Sequence, residues 1–535
     1  MSYENFIQTL DQKTSRNKIK EGINLAAEMV KPTLGCSSRR IIVQEEYRGI
    51  SAIDDGKVIL EALKVKDPQI QAGIDVVKEC ATKQDEEGDG TTSTSLILCS
   101  LVNSLLQEDS QEELLFKKTS GNNLRLRKEL KTGLKKVLDY IDKNKIEITT
   151  KEQLAQVGAV SSNDKEIGDI LADMFDKLGK DGAVSISEGT SIKTESEVVS
   201  GYSFDQGWLA PHFATNEKEE AVLVGDPYTS VLVTQNKLQD YKHMQKLAEL
   251  FEKEGVNDLL IIADDVSGIP LNSLVVNKMR QVIRVCAVKA PQLGTQAETL
   301  QDICAVTGAT LIGGSGGPKF EEIKPEHLGK AQKVVVSKDK TIIIGLQEDN
   351  KKLEERIKVL EGRVERESSE YEKKKLLERI SKLRCGVGNI KVGGTTPLEI
   401  KDKKAKITDA VAAVKSAMKG GIVAGGGVAL LLASLELDEK IEGEKILKKA
   451  IQTPFEQIME NADVNISKEK VFETGLGYNV ETEEFCDLVK AGIVDPANVV
   501  KAEVENSVST AIMVSNIGGA LTLIRKKKEE NDETN

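Results

Sequence analysis

Gly88-Asp89-Gly90-Thr91-Thr92-Ser93 breaks a charged run, Asp85-Glu86-Glu87, and opens an apolar segment with Leu96, Ile97, Leu101 and Leu105 at helical spacing. Two glycines let the backbone come close to a ligand, and the hydroxyl residues stand where a helix N-terminus exposes unpaired N–H groups. Such a terminus attracts anions, and Asp89 adds a hard oxygen suited to Mg2+. By itself the hexapeptide fits two readings, a phosphate loop or a tight turn with a Thr/Ser helix cap. The rest of the chain decides between them.

Toward the N-terminus, Ile19, Ile23, Ala27 and Val30 predict a helix that ends at Pro32-Thr33-Leu34-Gly35. Asp54-Asp55-Gly56 is a turn signal between a strand over 41–43 and the segment 58–63. Beyond residue 200 the pattern changes. Strands are expected at 221–224, 230–234, 259–263, 282–288, 333–337 and 341–346, alternating with helices such as Tyr241–Lys253. That alternation predicts an α/β domain inserted between helical halves. The charged stretch 348–384 carries Leu353, Ile357, Leu360 and Val364, then Leu377, Ile380 and Leu383. Helices packed along the inserted domain are expected there rather than a coiled coil. After Asp409, Val411, Val414 and Met418 form a buried stripe, and Gly425-Gly426-Gly427 leads into 428–432. The triple glycine marks a second close approach of backbone, to a packed helix or to a ligand.

Composition narrows the function classes. A chain of 535 residues holds about two to four domains. With 86 acidic and 74 basic residues the net charge is -12, which argues against a nucleic-acid partner. Arg525-Lys526-Lys527-Lys528 is followed at once by Glu529, Glu530, Asp532 and Glu533, which reads as a solvated polar tail. Seven cysteines without a C-x-x-C pair, and three histidines, indicate reduced thiols rather than zinc. The start Met1-Ser2-Tyr3-Glu4-Asn5 lacks a signal pattern, and the longest uncharged run, 420–435, is short and holds five glycines. A cytoplasmic protein with no membrane partner is expected; a processed organellar protein would look similar.

Separated segments then agree on a family. Thr33-Leu34-Gly35, Asp55-Gly56, the hexapeptide at 88–93, Asp409-Ala410, Val423-Ala424-Gly425-Gly426-Gly427-Val428-Ala429, Gly477-Tyr478-Asn479 and Val494-Asp495-Pro496 occur in the order found in chaperonins. The segment from Gly201 to Pro211, Gly-Tyr-Ser-Phe-Asp-Gln-Gly-Trp-Leu-Ala-Pro, resembles the bacterial and organellar branch, the group I or GroEL type, as does Leu274-Val275-Val276-Asn277. The resemblance runs from about Asn17 to Leu523. It implies an α+β multidomain fold: a helical equatorial domain from 1–143 and 420–535, an intermediate domain from 144–200 and 388–419, and an α/β apical domain over 201–387. It also implies homo-oligomeric, seven-membered rings, two of them stacked, around a chamber for unfolded client proteins, with a small lid-like co-chaperonin as partner.

The same resemblance implies an ATPase that uses ATP, Mg2+ and K+. Thr33, Leu34, Gly35 and Cys36 would line the phosphates opposite Gly90, Thr91, Thr92 and Ser93, with Asp54 close by. Asp89 would bind Mg2+, and Asp55 and Asp409 would organise the attacking water. Gly426, Asn479, Val480, Glu481 and Asp495 would hold base and ribose, with Val160 near the pocket. Clients would meet Trp208, His212, Phe213, Leu271, Val275 and Val276, since apolar burial tolerates many sequences.

Several positions depart from the family pattern. Asp54 stands where a lysine is usual, a reversal worth roughly a few kcal/mol in a partly solvated phosphate site, so weaker nucleotide binding is expected unless Asp54 points to solvent or helps hold the metal. Cys36 replaces a usual proline, and Gln245 and Ala248 stand where leucines are usual. Gln206 and Pro397 replace an oppositely charged pair, and the tail lacks Gly-Met repeats. The expected function is ATP-driven folding in a chamber. The alternative is a divergent paralogue that holds clients with weak or absent ATPase; an ordinary phosphotransferase is the third, disfavoured by the length of the resemblance.

Overall fold

The computed structural model describes all residues except 1–2, 46–48, 86, 107–121, 180–181, 190, 200, 216–219, 254–255, 257, 292–295, 315, 346–350, 368 and 528–535. The tail from 528, Leu346 and the first residues of the 348–384 stretch therefore lie outside the described residues, whereas Arg525, Lys526 and Lys527, read as part of that tail, belong to the last strand. The chain divides into two compact units, Met1–Ala172 with Ala405–Asn535, and Asp173–Lys404.

The first unit begins with β1 (Tyr3–Leu10) and α1 (Gln12–Val30), whose start is capped by Asp11 accepting from the Thr14 amide at 3.0 Å. A hairpin of β2 (Ile41–Glu45) and β3 (Gly49–Ile53) leads through the Asp54-Asp55 turn into α2 (Gly56–Ala62). Helices α3 (Pro68–Asp85) and α4 (Thr91–Leu105) flank the glycine loop, followed by α5 (Asn122–Asn144), α6 (Lys151–Ser162) and α7 (Lys165–Leu178), whose residues from Asp173 on belong to the second unit.

The second unit opens with β4 (Ala183–Glu188), β5 (Glu195–Val199) and β6 (Gly201–Phe204). Next come β7 (Ala221–Leu223), β8 (Thr229–Val233), β9 (Lys237–Leu238), α8 (Tyr241–Lys253), β10 (Asp258–Ala263) and β11 (Asp265–Val266). They are followed by α9 (Gly268–Met279), β12 (Arg284–Lys289), α10 (Gln296–Thr307), β13 (Gly329–Ala331), β14 (Lys333–Val336) and β15 (Thr341–Ile344). Two charged helices, α11 (Lys351–Arg366) and α12 (Glu370–Cys385), precede β16 (Val387–Val392).

After α13 (Pro397–Gly420), in which the division between the units falls, come β17 (Ile422–Ala424), α14 (Val428–Ala433), α15 (Glu442–Ile451), α16 (Thr453–Asn461) and α17 (Lys468–Thr474). The hairpin β18 (Gly477–Asn479) and β19 (Glu484–Cys486), then β20 (Val494–Pro496), α18 (Ala497–Ser515) and β21 (Ala520–Lys527) complete the chain.

Helical stripes build the core of the first unit. Ile19, Ile23 and Val30 of α1 bury against Ile74 and Val77 of α3, Ile97 and Leu101 of α4, and Val504 and Val508 of α18. The two ends of the sequence close on each other as an antiparallel ladder that runs from Tyr3 opposite Lys527 to Leu10 opposite Ala520. The core of the second unit forms around the sheet β12-β10-β8-β13, in which the first three strands are parallel and β13 is antiparallel. Every residue of β10 is buried, as expected of a parallel strand covered on both faces. A second, antiparallel sheet has the order β6-β15-β14-β7, and a mixed sheet the order β4-β16-β5.

The charged 348–384 stretch packs along this unit. Leu360, Ile380 and Leu383 are buried in its core and Leu353, Ile357 and Val364 lie against it, whereas Leu377 is exposed. A buried acid pins the pair of helices: Asp302 of α10 is fully buried and accepts from Arg356 Nε and from Arg379 Nε, both at 2.8 Å. Glu298, one turn earlier on α10, pairs with Arg363 at 2.7 Å and also with Arg379. Asp302→Ala leaves two arginines without their buried counter-ion. It is expected to destabilise the second unit by about 3–5 kcal/mol, read as a lower urea midpoint for a probe in that unit.

Candidate nucleotide site and apolar face

The glycine loop owes its seat to packing as well as to flexibility. Gly88 and Gly90 have φ of 105° and 83°, in the left-handed region. A Cβ on Gly88 would lie 2.6 Å from the Ala412 Cβ of α13, and one on Gly90 would collide with the Glu503 carboxylate of α18. The loop is thus pressed onto two helices, and what it presents outward is the start of α4. Among the described residues no side chain caps that helix, and its first internal bond runs from the Thr94 amide to the Gly90 carbonyl at 2.9 Å. The first-turn N–H groups of Thr91, Thr92 and Ser93 therefore form a donor set suited to an anion. A phosphate loop fits this geometry better than a side-chain-capped turn.

Two other segments converge on the same helix start. Thr33 Oγ1 lies 3.3 Å from Thr92 Oγ1, so the turn after α1 abuts α4. Asn461 of α16 holds that turn, donating to the Lys31 and Leu34 carbonyls at 2.9 Å each. Gly35 takes φ of 87°, and Cys36 is exposed beside it. From the other direction, a Cβ on Gly56 would lie 2.6 Å from Thr92 Oγ1, which sets the Asp55 turn against α4. Asp55 caps α2 through Oδ1, which accepts from the Lys57 and Val58 amides at 2.8 and 3.3 Å, and this keeps Oδ2 for a further partner.

Asp89 faces solvent, with Oδ1 accepting from the Gly90 amide at 2.6 Å and Oδ2 from Ser161 Oγ of α6 at 3.1 Å. Val160, adjacent to Ser161, is exposed. Asp409 is half-buried on α13. It lies three and four residues before Ala412 and Ala413, which touch Gly88, and three after Lys406, so helical spacing puts all four on neighbouring positions of one side. Asp54 meets counter-charges in the structure. Its carboxylate lies 3.3 Å from Lys406 Nζ and 3.8 Å from Arg40 Nε, so its charge is compensated within the fold. A net repulsion of phosphate by Asp54 does not follow.

The triple glycine resolves into two roles. A Cβ on Gly427 would lie 2.7 Å from the Phe455 amide nitrogen, a helix-packing constraint, whereas one on half-buried Gly426, at φ of 64°, would meet only Leu488 Cδ1, at 3.9 Å, among the described residues. Val480, half-buried, and Tyr478 pack on the cluster that contains Leu488. Asn479 Oδ1 accepts from the Glu481 amide at 2.9 Å, closing the hairpin tip, where Glu481 is exposed. Asp495 pairs opposite Val423 in the β17–β20 ladder, with one carboxylate oxygen 3.2 Å from the position of a Cβ on Gly425.

The electrostatics of this region are unusual. Burial pushes the Asp495 carboxyl up to about 7, and Asp89 adds to the shift. Glu503 rises well above the ordinary range, first through burial and then through Asp495 and Asp89. Asp55 and Asp89 are raised by the protein mass around them, Asp55 further by Asp85, and Asp89 by Asp55 and Asp85. Among the described residues no group of three or more acidic, His or Cys side chains is gathered tightly enough to hold a metal alone. Mg2+, however, commonly takes one or two carboxylates together with substrate phosphates and water. An accessible Asp89 beside an uncapped helix start fits that mode.

Comparison with known proteins now decides the family. The TCP-1/cpn60 chaperonin family model matches residues 26–518. The chain belongs to the TCP-1/cpn60 chaperonin family. A solved structure of the chaperonin gp146 from bacteriophage EL 2 (Pseudomonas aeruginosa), in the presence of ATP-BeFx, is similar at a TM-score of 0.66 and 18% identity, covering 96% of this chain and 98% of that one. A second crystal form of gp146, also with ATP-BeFx, gives 0.61 at 18% identity over 97% and 99%. The fold is therefore the α+β multidomain chaperonin fold, and membership carries a chaperone role in protein folding. The family generally has ATPase activity.

In the second unit of this chaperonin the expected client residues separate. Val276 (44% exposed) is on the surface, with Leu271 and Val275 half-buried against the core. His212 is exposed, but Trp208 packs half-buried on the core. Phe213 is a correction: it is 0% exposed, because the turn Pro211–Phe213 directs it inward while Lys278 holds the His212 and Ala214 carbonyls at 2.7 and 2.6 Å. Ile269, Met279 and Val282, unassigned from sequence, are 53%, 63% and 66% exposed. On α8, Leu247 is core and Gln245 faces outward, leaving Tyr241 as its exposed apolar group.

Glu503, Lys406, Ser161, Asn461 and Gln84 also escaped the sequence reading. Gln84 Nε2 donates to the Asp89 carbonyl at 2.9 Å and to the Val499 carbonyl at 3.2 Å, while its Oε1 accepts from Asn506 at 3.0 Å. For Asp495 the sign of linkage is clear: an ordinary value of 3.8 raised to about 7 on folding gives stability that is full below about pH 4 and lost as pH rises through 7. Asp495→Asn removes that loss. The nucleotide-free variant should gain melting temperature over the parent progressively between about pH 5 and 8, by several degrees in a thermal scan.

Proposed function

We propose that the chain is a group I-type chaperonin that folds client proteins in a ring-shaped chamber driven by ATP hydrolysis. The observation that carries this reading is the convergence of Thr33, Asp55, Asp89 and the face of α13 that bears Asp409 on the uncapped start of α4. The α4 amides and the 33–36 turn bind and orient the triphosphate. Asp55, with Oδ1 committed to its helix cap, uses Oδ2 to orient the attacking water, and Asp409 completes that arrangement from α13. Mg2+, held by Asp89, would neutralise phosphate charge, and K+ is proposed as the second cation of the site. Gly426 and the 479–481 hairpin tip take base and ribose, with Asp495 beside them.

The three-domain division at 143, 200, 387 and 419 belongs to the same proposal. So do seven-membered stacked rings, a lid-like co-chaperonin and a cytoplasmic location. Two two-stranded ribbons in the first unit, β1–β21 and β2–β3, have unpaired outer edges among the described residues, and Ile42 is exposed on one of them. Such edges favour pairing between copies. Clients are taken by the exposed apolar side chains of α9 and the turn that follows it.

The first test is K+- and Mg2+-dependent ATP turnover by the purified native assembly. Turnover is expected, and Asp409→Ala should lower kcat by about 100-fold with little change in nucleotide affinity. An intact ring without turnover would instead support the holding paralogue. A second test addresses the apolar face: Val276→Ser with Met279→Ser should cut capture of a denatured client several-fold while ATP turnover persists. Undiminished capture would move the client surface elsewhere.

A further inference from the structure

Two ion pairs flank the Asp55 turn. Asp54, just before Asp55, meets Lys406 of α13 at 3.3 Å. Lys57, just after Gly56, meets Asp85 at the end of α3 at 2.6 Å, three residues before Gly88. All four side chains are part-buried, between 20% and 33% exposed, so solvent screens them incompletely. We propose that Asp54–Lys406 and Lys57–Asp85 form a two-sided clasp that positions three acidic groups on separate segments: Asp55 on the turn, Asp89 on the loop and Asp409 on α13.

Asp55 sits between the two clasp residues of its own turn, so holding Asp54 and Lys57 fixes where the carboxylate points. Lys406 precedes Asp409 by three residues, nearly one turn along the same side of α13, so a tether at Lys406 sets the approach of Asp409. Asp85 enters the loop that carries Asp89, and Gln84 beside it fixes the far end of that loop at the Asp89 carbonyl. The clasp sums to zero charge, two carboxylates against two ammonium groups, which lets it organise an acidic site without adding to its repulsion. Arg40, 3.8 Å from Asp54, also touches the clasp but lies outside the helix that carries Asp409. These residues position others and need not touch the nucleotide themselves.

The inference rests on the hydrolytic reading of the site, and the experiment keeps the two apart. ATP turnover of the native assembly is measured for Lys406→Ala, Asp54→Asn, their double variant, the exchanged pair Asp54→Lys/Lys406→Asp, and Arg40→Ala. Each single change in the Asp54–Lys406 pair should lower kcat by about tenfold with KM within about twofold. The double variant should be no worse than either single one, the exchanged pair should recover most of the loss, and Arg40→Ala should change kcat less than about threefold. Losses that add, or that fall on KM with kcat unchanged, would overturn the clasp and make Asp54 a nucleotide contact. If the parent assembly shows no turnover, the hydrolytic reading fails, and hydrogen exchange of the nucleotide-free protein judges the clasp alone. Faster exchange at both 404–413 and 55–60 in Lys406→Ala would support the tether, and unchanged exchange would refute it.

Discussion

Four carboxylates crowd around the start of a single uncapped helix. Asp55, Asp89, Asp495 and Glu503 each have a raised pKa, and Asp89 contributes to the shift in both Asp495 and Glu503. Burial is the main cause of each shift, and neighbouring charges of the same sign add to it. The α4 N-terminus supplies positive potential along its axis. Much of the surrounding packing serves to keep this arrangement in place.

The loop that carries Asp89 illustrates how. Its two glycines are pressed against Ala412 of α13 and Glu503 of α18, so the loop conformation depends on helices more than three hundred residues away in sequence. Gln84, Asn506 and the Val499 carbonyl tie the same region together by hydrogen bonds that are buried or part-buried. Because both ends of the chain build this unit, and β1 pairs with β21 along eight residues, nucleotide chemistry placed here depends on the whole first unit being folded. Asp409 lies on α13, within the part of that helix that belongs to the first unit.

Much of the fold was legible because its signals are local. The apolar run at 259–263 reads as a strand buried on both faces, and β10 is one; the 3.6-residue stripe Ile19, Ile23, Val30 reads as a buried helix face, and α1 shows it. The 348–384 stretch read as helices packed on the inserted domain, although Leu377 faces solvent despite its place in the apolar pattern. Phe213 shows the limit of such reading: an aromatic in a short turn carries no periodicity to say which way it points. Glu503 had a faint signal, since it lies four residues after Val499 and next to Val504 on a buried stripe, where a charge needs a reason. Among 86 acidic residues, that signal is easily lost.

The sequence by itself determined the family, the alternation of elements, the glycine loop and the acidic residues available to a nucleotide site. These follow from residue type and spacing along the chain, which local backbone preferences and hydrophobic periodicity translate directly. Only the tertiary structure decided which distant groups meet. It paired Asp54 with Lys406 and so compensated a charge that looked adverse, turned Phe213 inward, and seated Gly90 on Glu503. Contacts of this kind depend on how helices from opposite ends of the chain cross, and no local preference encodes that crossing.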